Sequence, residues 1–292
     1  MGEFFALLTA AFWAGAVILF KRSGEELPPL LLNALRVLVS SVLLLLTMAA
    51  VRQPPWRPAP LQDYLLIAAS GVIAIALADT LFHASLNRIG AGLTAIVDCL
   101  YPPLTAFFAL LLLGEVLSGP DYVGMVLVVG AVLVASQAKP PGGTTRRILL
   151  AGIGLGVLGM AALSLGIVIV KPVLRHQPVI WVTGMRQFVA LAILVPAVLI
   201  SPAGRRDLRR LRLSRPLLRY ALPGTVLGSY LSLICWIAGM KFITAGTAAV
   251  LNQTATIYII LLARIVLQEP LTRRRLVACA MALGGVLCIV LT

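Results

Sequence analysis

Ten apolar runs, most of them 17 to 24 residues long, follow one another along this chain with little between them. They fall near 4–20, 29–51, 64–87, 91–113 and 121–137, then near 147–170, 178–200, 219–241, 246–267 and 274–291. A helix crossing a bilayer needs about 20 apolar residues. In lipid every backbone polar group must be satisfied internally, so runs of this length are expected to be helices. The expected fold is therefore an all-α membrane protein of ten transmembrane helices. Charged residues make up only 12% of the chain, against roughly a quarter in soluble domains. No loop is long enough for a separate soluble domain, which excludes an ATP-driven pump with its nucleotide module. HExxH, GxSxG and P-loop patterns are absent, so no enzyme is expected and no cofactor. Met1 to Phe5 carries no basic n-region, so the first run is expected to be a retained helix.

The four cysteines, Cys99, Cys235, Cys279 and Cys288, all sit in apolar runs without a CxxC pair. They read as small buried hydrophobes, not as a metal site. The net charge is +14. In a membrane protein such an excess marks cytoplasmic loops, and no nucleic-acid partner is expected.

The chain divides at Ala138-Lys-Pro-Pro-Gly-Gly-Thr-Thr-Arg-Arg147, whose prolines and glycines do not continue a helix. Residues 1–137 form a first five-helix repeat, 138–147 a linker, and 148–292 a second repeat. The segment 84–97 aligns with 238–251 at an offset of 154, which also pairs Glu115 with Glu269 and Gly130 with Gly284. Earlier, an offset of 150 pairs Lys21 with Lys171 and Arg36 with Arg186. Five helices is an odd number, so the second repeat enters the membrane with opposite orientation. Inverted repeats of this kind build secondary transporters, with the solute site at the repeat interface. A duplicated scaffold that transports nothing is the plainer alternative.

Sixteen lysines and arginines fall in the odd-numbered loops and five in the even-numbered ones, with much of the excess between Arg205 and Arg219. The positive-inside rule then places the odd loops in the cytoplasm and both termini outside.

Several short motifs, in order, resemble one family. Phe12-Trp13-Ala14-Gly15 followed by Lys21, then Asn33-Ala34-Leu35-Arg36, then Pro102 and Leu113-Gly114-Glu115 are similar to the helix motifs of the drug/metabolite transporter superfamily. The likeness is to its ten-helix EamA-type bacterial metabolite and amino-acid exporters. A second copy reads Leu267-Gln268-Glu269-Pro270, with Gln where Gly is usual. The resemblance runs over nearly the whole chain. It implies inner-membrane export of metabolites, often amino acids, through a central cavity, with the fifth and tenth helices peripheral. Many members carry both termini inside, opposite to the charge bias here, so the orientation stays open.

Ionisable groups inside spans are costly and face a cavity or a partner. On the third helix Asp79 and His83, four apart, share a face. Asp98 and Tyr101 do so on the fourth. Tyr230 and Trp236 on the eighth helix, and Asn252, Gln253 and Tyr258 on the ninth, complete the expected solute-binding set. Trp13, Lys21, Arg36, Lys171 and Arg186 are expected at the cavity mouth or gates. Glu115 and Glu269 end their helices, where a carboxylate opposes the macrodipole, and so each is expected to have a partner. Acids on one wall and neutral amides opposite suit an amino acid if the arginines attract its carboxylate, and suit an organic cation equally. A non-transporting membrane component is the third reading. No metal is expected. Gly152 and Gly156 form a GxxxG, which allows close packing without establishing a dimer. The sequence leaves the oligomeric state open, and a monomer in the lipid bilayer is compatible with it.

Overall fold

The computed structural model describes residues 1–137, 145–210, 217–236 and 245–290. Most of the linker, Arg212, Arg215 and Lys241 lie outside the described residues. The described residues are helical with short turns, and no strand occurs among them.

Among the described residues seven helices are long and apolar enough to cross a membrane. They are α1 (Gly2–Ser23), α2 (Pro29–Ala50), α3 (Leu61–Ile89), α4 (Ala91–Leu113), α5 (Gly119–Ser136), α6 (Arg146–Leu174) and α7 (Val179–Ile200). A short arginine-rich helix, α8 (Pro202–Arg210), follows. Then come α9 (217–236), α10 (Ala245–Val266) and α11 (Arg273–Val290).

Local chemistry explains the helix ends. Pro29 opens α2, where its missing N–H costs nothing and its fixed φ is already helical. Ser118 and Asp121 close a capping box on α5, the carboxylate accepting from the Ser118 amide at 2.6 Å. Gly114 ends α4 at φ +66°, a left-handed position that glycine adopts without strain. Lys21 and Arg22 occupy the last turn of α1, where cations complement the dipole.

The helices alternate in direction, as contacts between their ends show. Lys21 donates to the Asn87 carbonyl and Arg22 to that of Val266, joining the far ends of α1, α3 and α10. At the opposite end Lys171 meets Glu115, and Asp63 accepts from Gln177 at 2.9 Å, joining α4 to α6 and α3 to the α6–α7 turn.

Small residues set the closest approaches. A Cβ on Gly152 or Gly156 would strike Ile89 or Ser85, and one on Gly166 would lie 2.6 Å from Ala74. Ser85 and Ser70 donate to the carbonyls of Gly152 and Gly166 at 2.8 and 2.6 Å. The GxxxG of α6 therefore packs this helix on α3 within the chain. Helices α5 and α11 pack on each other, and Val126 on α5 is 72% exposed. A Cβ on Gly285 would lie 2.6 Å from the Gly124 carbonyl, while Gly284 next to it faces open space. Gly285→Val should therefore lower stability by about 1–3 kcal/mol through overpacking. Gly284→Ala should be neutral or stabilising by up to about 1 kcal/mol. Thermal unfolding of the two variants in detergent checks the pair; equal midpoints would contradict the packing.

Candidate functional site

A cavity of about 700 Å³ lies between α1, α3, α4, α6, α9 and α10. Its walls are mostly apolar, from Ala10, Phe82, Met160, Leu163 and Ile259, with polar groups at separate points.

Irregular stretches in α3, α4 and α9 shape it, α9 being π-helical over Leu217–Ala221 and Val226–Leu231. Helix α3 carries a π-helical stretch at Gly71–Leu77. Asn33 on α2 donates to the Ile75 carbonyl and the Thr80 hydroxyl, both at 2.9 Å. Its amide oxygen in turn accepts from Arg36 at 3.0 Å. Helix α4 is regular over Ala91–Asp98, turns at Cys99 and Leu100, and resumes as Tyr101–Leu113. Pro102 and Pro103 have no N–H. The Asp98 and Cys99 carbonyls thus lose their helical donors beside the cavity.

Asp79 and Asp98 both line the cavity, with different neighbours. Asp79 is ion-paired to Arg36, which is 6% exposed and also donates to Ser229 at 3.0 Å. Asp98 Oδ1 is buried without a hydrogen-bond partner. Tyr101 lines the same wall, and Asn252 and Gln253 line the facing one. Asn252 donates to the Ala6 carbonyl and accepts from the Trp236 indole, both at 3.2 Å. Trp13 and Trp236 add aromatic surface, Trp13 standing 6.0 Å from the Phe82 ring.

Other expected residues fall elsewhere. His83 is off the cavity lining. It is 1% exposed, neither ring nitrogen has a partner, and it stands edge-on to Phe20 and Phe82 at 5.1 and 5.4 Å. Phe82 ends the cavity wall on α3, and one residue further the helix faces packed core. Tyr230 bonds Thr47 at 2.8 Å between α9 and α2. Tyr258 packs into the apolar core. Neither lines the cavity. Arg36 stands behind Asp79 and is not at a mouth. Arg186 also lies off the lining, its Nε without a partner, close enough to Asp79 and Tyr101 to act on both electrostatically.

The two ends of the cavity differ. At one end Glu115 and Lys171 line it and pair at 2.6 Å, each about 40% exposed. Beyond the other end, Glu269 accepts from the Ala91 and Gly92 amides at 2.7 and 3.1 Å and from Arg275 at 3.2 Å. Arg275 is 3% exposed. Lys21 and Arg22 hold the same region through the Asn87 and Val266 carbonyls, at 3.0 and 2.9 Å. Gly90, at φ +82°, lets the carboxylate in, since a Cβ there would lie 2.5 Å from it. Partly exposed charges thus mark one end, and a mostly buried cluster closes the other.

Sequence reasoning missed Thr9, Thr105, Ser232 and Thr256, all on the lining. Helical spacing offered a signal for two of them: Thr105 is four residues beyond Tyr101, and Thr256 four beyond Asn252.

Comparison with known proteins agrees with this architecture. The model of the EamA-like transporter family matches residues 1–137 and 150–291. The chain is 29% identical over 134 residues to "Uncharacterized transporter YcbK" of Bacillus subtilis (strain 168), a match covering 44% of this chain and 41% of that protein. A solved structure described only as "Crystal structure of protein" superposes with a TM-score of 0.66 at 17% identity, over 98% of this chain and 94% of the other.

Proposed function

The chain belongs to the EamA-like transporter family, and on that premise we propose that it is a secondary carrier moving a small amine-bearing metabolite across the inner membrane by alternating access. Amino acids, which the sequence favours, and organic cations are the two substrate classes to test, with a non-transporting component as the rival. The observation that carries the reading is the central cavity, lined by partly exposed charges at the Glu115–Lys171 end and closed off by the Glu269 cluster beyond the other. A scaffold has no need of a hollow centre with buried carboxylates, which is costly to maintain in a membrane.

The two halves act as inverted repeats in this reading, ten spans in all. Three observations support it. The family match falls in two stretches on either side of the linker. The matched residues Lys21 and Lys171 reach opposite faces of the bundle, Lys21 at the end of α3 through Asn87 and Lys171 just beyond the end of α4 through Glu115. Cys99 and Gln253, matched at an offset of 154, approach each other at 4.0 Å, as residues beside a two-fold axis do.

Solute counterflow tests the proposal. Proteoliposomes of the purified protein, preloaded with an unlabelled amino acid or amine, should transiently concentrate the labelled form with no other energy source. Absence of counterflow for every amine-bearing solute tried, from protein that is folded and correctly inserted, would contradict a carrier.

A further inference from the structure

We infer that the cavity selects amines bearing one positive charge on an apolar body and no carboxylate. Binding of such amines stands on the cavity alone; their movement rests on the carrier reading above.

Four charged side chains line the cavity among the described residues: Asp79, Asp98, Glu115 and Lys171. Arg36 answers Asp79, and Lys171 answers Glu115. Asp98 is left, with Oδ1 buried and unpartnered. It stands where the first segment of α4 ends, at the negative pole of that helix. The carbonyls of Asp98 and Cys99, which Pro102 and Pro103 deprive of donors, add to the same corner. Carboxylate, carbonyls and dipole all favour a cation there, and half-helix C-terminal ends are known cation sites in membrane carriers.

A carboxylate on the same solute would find no unpaired cation on the cavity lining among the described residues. Arg36 is spent on Asp79, Asn33 and Ser229, and Arg186 does not line the cavity. The Asn252 amide is taken by Ala6 and Trp236. A carboxylate stripped of water without a charged partner is strongly disfavoured. Trp13, Phe82, Met160 and Leu163 offer instead a surface for an apolar body, and aromatic faces add to cation affinity.

The corner is not a by-product of duplication. The residue matched to Asp98 is Asn252, no proline follows it within the helix, and α10 runs unbroken from Ala245 to Val266. The anionic break exists in one half alone. A sodium ion would suit the carbonyls equally, but it leaves the aromatic lining and the 700 Å³ of space unexplained.

Three probes that share a phenyl ring isolate the head group: phenethylamine, phenylalanine and 3-phenylpropionate. Calorimetric titration of the full chain in detergent should rank phenethylamine about tenfold tighter than phenylalanine, with 3-phenylpropionate weakest. Asp98→Asn should weaken phenethylamine by about tenfold and phenylalanine by less, narrowing the gap between them. Phenylalanine binding as tightly as phenethylamine, no phenethylamine binding, or displacement of the amine by equimolar sodium would overturn the inference. If Asp98→Asn does not fold, the ranking on the unmodified protein still decides. Tight phenethylamine binding without counterflow would overturn the carrier reading and leave the selectivity standing.

Discussion

Arg36→Met is expected to be among the most destabilising single substitutions in this protein, at about 3–5 kcal/mol. It removes the guanidinium that neutralises Asp79 and leaves a carboxylate facing the cavity with its ion-pair partner gone. It also strips Asn33 and Ser229 of a donor each. Asp79→Asn should cost less, because the amide still accepts from Arg36. The double variant Arg36→Met with Asp79→Leu removes both charges, and replacing a buried pair by apolar groups is often close to neutral. Its thermal midpoint in detergent should therefore recover most of what the single variant loses. If the double variant is as unstable as Arg36→Met alone, the cost lies in lost packing or in the Asn33 and Ser229 bonds, and the pair does not carry the centre.

Glu269→Ala should release the plugged end. The carboxylate holds the two amides at the start of α4 and the buried Arg275. Hydrogen bonds to an ionised group contribute about 1.5–3 kcal/mol each. Removing them should speed hydrogen exchange at Ala91 and Gly92 by about tenfold or more, and Glu269→Gln should do so less, since its amide oxygen still accepts one bond. Exchange at the opposite end, in the first turn of α7 beyond Pro178, should be unchanged. Unaltered protection at Ala91 and Gly92 would show that other contacts keep this end shut. Gln268, with φ +55°, turns the chain so that Glu269 reaches back to α4. A glycine at Gln268 would relieve that strain and leave the clamp intact.

Seven spans among the described residues were legible because lipid imposes length and apolarity on every helix that crosses it. The runs read near 29–51, 91–113 and 178–200 lie within two residues of α2, α4 and α7. The clustering of Asp79, Asp98, Tyr101, Trp236, Asn252 and Gln253 around one space was also open to sequence reasoning, since few other reasons place polar groups inside a span. What sequence spacing does not encode is depth and partner choice. Asp79 and His83 share a helical face, yet the cavity ends at Phe82, and His83 falls among rings. Arg36 reads as a gate, but the chain brings α2 against α3 so that it meets Asp79. The Lys171–Glu115 and Glu269–Ala91 contacts join residues 56 and 178 apart, and only the assembled bundle sets them. The threonines on the lining were overlooked because a hydroxyl in a membrane helix is commonly satisfied by the preceding turn, as Thr9 is by the Phe5 carbonyl at 2.9 Å.

The central claim is that solute reaches one cavity alternately from two faces, so the plugged end must open during transport. The direct measurement is flux through a protein locked at that end. In a cysteine-free background, Arg22→Cys and Val266→Cys place thiols where Arg22 now bonds the Val266 carbonyl, and a short bis-maleimide can join them. Counterflow should be normal before cross-linking and lost after it, while phenethylamine still binds from the Glu115–Lys171 end. Undiminished counterflow through the cross-linked protein would contradict the account.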